Sequence, residues 1–281
     1  MVKILALLIS LGVGALCGYL FYSHLATSIV ATVFISLGFA VATLLVLVIL
    51  FFAILYLLGA FENKKVIRKT QGKHYRRSLI FMERFLFSLF GMNNHYKGRE
   101  LLSPNENYII IANHRSNLDN MVIDVYLKKY PLVFIAKKSL FKVPFVGALI
   151  HGCGYLSLDR GNTMQEFETI SLAIDMLTRE KDPLSVAVFP EGTRNENPDN
   201  RNVQPFHPGS FRMAFKSQKP IAIIALRGVK EVNNNLLLKR HPVYLDVVEV
   251  IEYDQYKDMD VNSLSQYCHD KLESFLSENC K

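Results

Sequence analysis

The sequence predicts an α/β domain with a mixed, largely parallel sheet flanked by helices, preceded by an N-terminal two-helix transmembrane hairpin. Two observations carry this reading. Residues 4–61 contain no Asp, Glu, Lys or Arg, and roughly 20 apolar residues are enough to span a bilayer. Further along, short apolar runs of strand type alternate with segments of helical period, which is the pattern of a sheet built largely from parallel strands.

The apolar run is interrupted by Ser23-His24-Leu25-Ala26-Thr27-Ser28, which divides it into residues 4–22 and 29–61. The first part fits one span. The second is longer than one span needs and must tilt, kink or extend beyond the bilayer. Two helices joined by a tight hairpin are expected. The alternative is a signal peptide followed by one helix, which Lys3 and the stretch after it would suit. Lys64, Lys65, Arg68, Lys69, Lys73, Arg76 and Arg77 follow the second run, so the positive-inside rule places the C-terminal part in the cytoplasm.

That part holds 31 of the 32 basic residues and all 25 acidic ones, a net charge of +6. A basic domain tethered to a membrane suits anionic lipid head groups and acidic partners. Nucleic acid is not expected, because no recognition motif accompanies the charge. Cys17, Cys153, Cys268 and Cys280 form no CxxC and fit neither zinc ligation nor a disulfide framework, which agrees with a reducing cytoplasm.

Three regions are expected: the hairpin (1–61), a basic, aromatic, membrane-proximal helical segment (62–92) and a cytoplasmic α/β domain (93–281). The middle segment ends in Phe81, Phe85, Leu86, Phe87, Leu89 and Phe90, and reads either as an amphipathic helix lying at the membrane or as a helix packed on the core. Strands are predicted over 107–112, 132–136, 154–158, 184–189, 221–226 and 243–250. Helices are predicted from Ser116 towards Pro131 and over 145–150, 165–179, 211–217 and 261–276. The Pro- and Asn-rich stretch 195–203 reads as an exposed loop.

Two short segments offer chemistry. In Asn113-His114-Arg115-Ser116-Asn117-Leu118-Asp119, the histidine is a candidate general base. Five residues on one regular helix put two side chains about 140° apart. His114 and Asp119 therefore meet only if His114 lies in the turn before the helix. Ser116 and Asp119 also match a capping box, so Asp119 serves either as a cap or as the carboxylate that orients His114. No nucleophile is paired with the base. Ser116 reads as a cap and Cys153 as a small packed residue, and there is no G-x-S-x-G elbow. A substrate hydroxyl is the expected attacking group.

The second segment is Phe189-Pro190-Glu191-Gly192-Thr193-Arg194, at the carboxyl end of a predicted strand, where open α/β sheets bind ligands. Gly192 permits close backbone approach, Thr193 offers a hydroxyl, and Arg194 can grip a phosphate bidentately. Arg160, after Leu156-Ser157-Leu158-Asp159, is a second arginine at a strand end. Each arginine could equally be a surface charge.

Taken in order, these segments resemble the glycerolipid acyltransferase family, and within it the 1-acylglycerol-3-phosphate (lysophosphatidic acid) acyltransferases. Residues 113–119 look like that family's His-x4-Asp block. Ala136-Lys137-Lys138-Ser139-Leu140-Phe141 and Val143-Pro144-Phe145-Val146-Gly147 look like its linking segment. Gly154-Tyr155-Leu156-Ser157-Leu158-Asp159-Arg160 looks like its second block, and residues 189–194 match its third. The resemblance covers roughly residues 93 to 230. There are two departures: Ala225 stands where the fourth block usually carries proline, and His207 where a lysine is usual.

The resemblance implies that His114 deprotonates the sn-2 hydroxyl of lysophosphatidic acid, which then attacks the thioester of acyl-CoA or an acylated carrier protein. It implies that Asp119 orients and stabilises His114. Arg160, Glu191, Gly192, Thr193 and Arg194 would hold the glycerol phosphate, and Lys137 would assist with the phosphate or the oxyanion. No metal or redox cofactor is implied, and the partners are the two substrates and membrane lipids. The compact size and the cysteine usage point to a bacterial cell membrane. Within the family the acceptor could instead be another lysophospholipid, glycerol 3-phosphate or dihydroxyacetone phosphate, and two rival classes remain at this point: a membrane thioesterase or lysophospholipase that uses water as acceptor, and a non-catalytic lipid-binding protein.

Overall fold

The computed structural model describes residues 2–25, 28–60, 62, 68–159, 161–232 and 240–280. Ala26 and Thr27 of the polar interruption, and Lys64 and Lys65 after it, lie outside these. The chain divides into two units, Met1–Phe61 and Glu62–Lys281.

The first unit consists of α1 (Val2–Leu25) and α2 (Ile29–Ala60). Within them, Leu5–Ser23 and Ile29–Ile54 are long and apolar enough to cross a membrane. The two helices pack on each other. Gly14 and Gly18 recur at the four-residue interval that lets small residues bring two backbones together, and a Cβ at either position would overlap Ser36.

The second unit begins with α3 (Lys73–Leu89), continues as β1 (Met92–Lys97), β2 (Ile109–Ala112), α4 (Asp119–Tyr126), β3 (Leu132–Lys137), α5 (Val146–Gly152), β4 (Leu156–Leu158), α6 (Thr163–Thr178) and β5 (Ser185–Val188), and closes with α7 (Arg212–Ser217), β6 (Ile221–Arg227), α8 (Val229–Val232), β7 (His241–Ile251), α9 (Tyr253–Tyr256) and α10 (Val261–Asn279). The strands form one seven-stranded sheet in the order β1-β7-β6-β2-β5-β3-β4. Every pairing is parallel except β6 with β7, so the sheet is mixed and largely parallel.

The central strands are apolar along nearly their whole length because both faces are covered. All four residues of Ile109-Ile110-Ile111-Ala112 in β2 are buried, as are Ile221 to Leu226 of β6. Capping fixes two helix starts. Asn162 accepts the Gln165 N–H ahead of α6, and Asp260 accepts the Asn262 and Ser263 N–H groups ahead of α10.

Three local expectations change. α4 begins at Asp119, with Leu118 at its N-cap, three residues later than Ser116. The stretch 195–203 is not freely exposed: Asn195 and Val203 are buried, and the Arg115 guanidinium donates to the carbonyls of Asn197, Asp199 and Asn202. β1 carries no strand signal, because Met-Asn-Asn-His-Tyr-Lys lacks an apolar face. It forms because β7 is eleven residues long and offers it a parallel edge.

α3 packs against α4 and α5 and buries Tyr75, Leu79, Met82 and Phe87 together with Arg76 and Glu83. Arg76 pairs with Asp124, and the Tyr155 hydroxyl donates to the same carboxylate at 2.9 Å. Burial, reinforced by the Asp124 charge, pushes the Glu83 carboxyl well above its usual range.

Candidate active site

The site is assembled at the carboxyl ends of β2 and its neighbours. β2 ends at Ala112, and Asn113 fixes the exit by bonding twice to β6: its amide donates to the Leu226 carbonyl at 2.9 Å and accepts the Leu226 N–H at 2.8 Å. His114 follows, in the turn before α4. Its Nδ1 lies 2.9 Å from Asp119 Oδ2. The same oxygen accepts the backbone N–H groups of Arg115 at 2.6 Å and Ser116 at 2.7 Å. Wrapping residues 114–116 around one carboxylate is what delays the start of α4.

Asp119 is the first residue of α4, whose N-cap, Leu118, has no side-chain cap bond. The buried Asp119 Oδ2 instead ties the turn before the helix to the imidazole. A carboxylate at Nδ1 holds the proton on that nitrogen and leaves the Nε2 lone pair for substrate. The imidazole is stacked on Phe189, with centroids 4.3 Å apart and planes at 18°.

β5 lies between β2 and β3, so the loop after it borders His114 directly. Gly192 turns that loop with a φ of 76°, a left-handed conformation open to glycine. The loop grips the His114 backbone on both sides. The His114 N–H donates to Glu191 Oε1 at 2.6 Å, and the His114 carbonyl accepts the Asn195 N–H at 2.7 Å. Glu191 Oε2 accepts the Gln204 N–H at 3.0 Å.

Glu191 is only 2% exposed, and both of its oxygens are occupied by backbone donors. It faces the frame of the site and not the open edge, which departs from the direct substrate contact expected from the sequence. Burial raises its carboxyl above the usual range, against the pull of the two N–H groups.

Thr193 and Arg194 are exposed, and Arg194 makes no ion pair among the described residues. Lys137 ends β3, two strands from β2 and so about 10 Å across the sheet. It is also exposed. Its neighbour Lys138 is taken up by Asp159 at 2.7 Å. Arg160 lies outside the described residues. The structure thus joins His114, Asp119 and Glu191 through hydrogen bonds and sets Gly192, Thr193, Arg194 and Lys137 along the same edge.

Two alternative nucleophiles are withdrawn from solvent. Ser116 and Cys153 are fully buried, and burial pushes the Cys153 thiol well above its usual range. The residues that sequence reasoning missed are Asn113, Arg115 and Asn195, which carry frame contacts and have no reactive chemistry of their own. His207, the departure from the usual lysine, is exposed, and its N–H donates to the Pro190 carbonyl at 2.9 Å, next to the 189–194 loop.

Residues 93–227 match the model of the family described as Acyltransferase. The chain is 30% identical over 193 residues to the 1-acyl-sn-glycerol-3-phosphate acyltransferase of Haemophilus influenzae, covering 69% of this chain and 78% of that protein. The chain belongs to the acyltransferase family. The enzyme of the same name from Escherichia coli is 31% identical to this acyltransferase over 172 residues, which is 61% of this chain and 68% of the relative. In fold, the acyltransferase resembles the crystal structure of the 1-acyl-sn-glycerophosphate (LPA) acyltransferase PlsC from Thermotoga maritima, with a TM-score of 0.57 and 23% identity over 73% of this chain and 81% of that one. The family membership makes this protein an O-acyltransferase enzyme.

Proposed function

We propose that this acyltransferase moves a fatty acyl group from an acyl thioester to the sn-2 hydroxyl of 1-acylglycerol 3-phosphate, giving phosphatidic acid. The observation that carries this reading is the His114–Asp119 pair, 2.9 Å apart, on the same sheet edge as the exposed cations Arg194 and Lys137. Several relatives bear the name of this activity.

In the proposed reaction His114 Nε2 takes the proton of the sn-2 hydroxyl as its oxygen attacks the thioester carbonyl. The tetrahedral intermediate collapses with cleavage of the C–S bond, and the imidazolium returns the proton to the departing thiolate. General-base help contributes about 10²–10⁴-fold, so positioning of both substrates supplies much of the remaining acceleration. Arg194 and Thr193, with Arg160 and Lys137, take the glycerol phosphate. Glu191 acts through His114 by fixing its backbone. The donor is acyl-CoA or an acylated carrier protein, and proton and acyl movement alone call for no metal or redox centre.

The two apolar helices suit an enzyme whose acceptor and product are lipids, and we assign the protein as a multi-pass protein of a bacterial cell membrane with its α/β domain in the cytoplasm. Exposed Met164 and Phe167, in the first turns of α6 just past β4, add an apolar surface on the carboxyl side of the sheet.

The test is transfer of a labelled acyl group from both donors to a panel of lysolipids, glycerol 3-phosphate and water. Phosphatidic acid formed only with lysophosphatidic acid, and lost in His114→Ala, is the expected result. Thioester consumption independent of acceptor would make the protein a thioesterase, and lipid binding without transfer would make it a non-catalytic binder.

A further inference from the structure

A second polar cavity, of about 620 Å³, lies between α3, β1 and the end of α4. It is separate from His114. Asp119 opens α4, whereas the cavity is lined by Val125, Tyr126 and Lys128 at the other end, about 10 Å further along the helix. β1 also runs opposite to β2, since it is parallel to β7 and β7 is antiparallel to β6. Lys97 lies level with Ala225 of β6, but β1 stands three strands from β2, about 14 Å across the sheet.

The walls carry Arg84, Lys97, Arg99 and Lys128 against one carboxylate, Glu100. Among the described residues none of these four cations makes an ion pair. Four like charges facing one cavity repel each other unless an anion joins them. A second observation concerns the adjoining segments. Phe81, one helical turn before Arg84, is 53% exposed, and Leu101, two residues after Arg99, is 48% exposed. Cations near exposed apolar side chains in the chain suit a lipid interface better than a free solute.

We propose that this cavity is a second anion site, which takes the phosphate head group of an anionic phospholipid. The phosphate would lie among Arg84, Lys97, Arg99 and Lys128. The site is independent of which lysolipid the enzyme acylates.

The full-length chain in a non-ionic detergent would be titrated by calorimetry with dioctanoyl phosphatidylglycerol, dioctanoyl phosphatidylcholine and free glycerol 3-phosphate. Phosphatidylglycerol should bind saturably and the other two at least about tenfold more weakly. Arg84→Gln with Lys128→Gln should weaken phosphatidylglycerol at least about tenfold, since each charge-assisted bond contributes more than a neutral one. Both side chains are exposed, so Tm, and acyl transfer in micelles whose only anionic lipids are substrate and product, should be unchanged. Arg194→Gln should leave this binding intact. Binding that survives the double change, or that is lost instead with Arg194→Gln, overturns the proposal. Glycerol 3-phosphate binding as tightly as the lipid, and lost in the same double variant, would overturn the lipid assignment.

Discussion

Glu191 accepts the backbone N–H of His114 at 2.6 Å, so the third motif holds the first by its main chain. A residue that acts this way should affect turnover more than acceptor affinity. Glu191→Ala is expected to lower kcat about 10–100-fold, the scale of a small displacement of a reacting group, with little change in acceptor KM. A raised KM with intact kcat would instead place Glu191 in contact with substrate.

Asp119→Asn replaces the acceptor of His114 Nδ1 and of two backbone donors. Activity should fall by about 10²–10⁴-fold, because the imidazole loses the group that fixes its tautomer. Initial rates at saturating substrates, alongside a thermal melt, separate this from unfolding. Activity within a factor of a few of the parent would remove Asp119 from the mechanism.

Arg194 is exposed beside the base and free of ion pairs among the described residues. Arg194→Ala should raise the KM for lysophosphatidic acid by roughly 10–100-fold, the loss of a hydrogen bond to a charged group, and should weaken any salt dependence of that KM. An unchanged KM would mean that the phosphate is held elsewhere.

Glu62 is held by Arg68 at 2.6 and 2.7 Å and by His151 Nδ1 at 2.7 Å. Burial raises its carboxyl, but the bonds from Arg68, His151 and Tyr75 outweigh that and bring it from an ordinary 4.5 down to about 2. A folded value below the ordinary one means a contribution that is full above 4.5 and lost as pH falls towards 2. Glu62→Gln should lower Tm near neutral pH by roughly 2–4 °C and flatten its fall across the acid range. Circular dichroism melts from pH 7 to 2 would show it, and parallel acid profiles for parent and variant would discount the cluster.

A cysteine placed at Thr27, between the two apolar segments, should react with an impermeant maleimide added outside intact cells. Labelling only after lysis would reverse the proposed orientation, and a shortened mature chain would favour the signal-peptide alternative.

Much of the sheet was legible because β2, β5 and β6 carry apolar runs of four, three and six residues, a pattern set by burial on both faces. β1 was illegible for the converse reason: it is a polar edge strand, and only the presence of β7 gives its backbone a partner. In the site, reactive residue types stood out in the chain. Asn113, Arg115 and Asn195 did not, because their bonds run to main-chain atoms far away in sequence, such as Leu226 for Asn113 and Asn202 for Arg115.

By itself the sequence determined the apolar N-terminal pair, the α/β class, and the identity of a base, a carboxylate and an arginine-bearing loop, since these depend on residue type, local period and spacing. Only the tertiary structure decided how they are used. It set Glu191 as a clamp on the His114 backbone, let one Asp119 oxygen hold both the imidazole and the turn before α4, and gathered Arg84, Lys97, Arg99 and Lys128 around a polar cavity. Those roles depend on which backbone atoms meet across the sheet, and strand order, which places β5 between β2 and β3, is not written in any one segment.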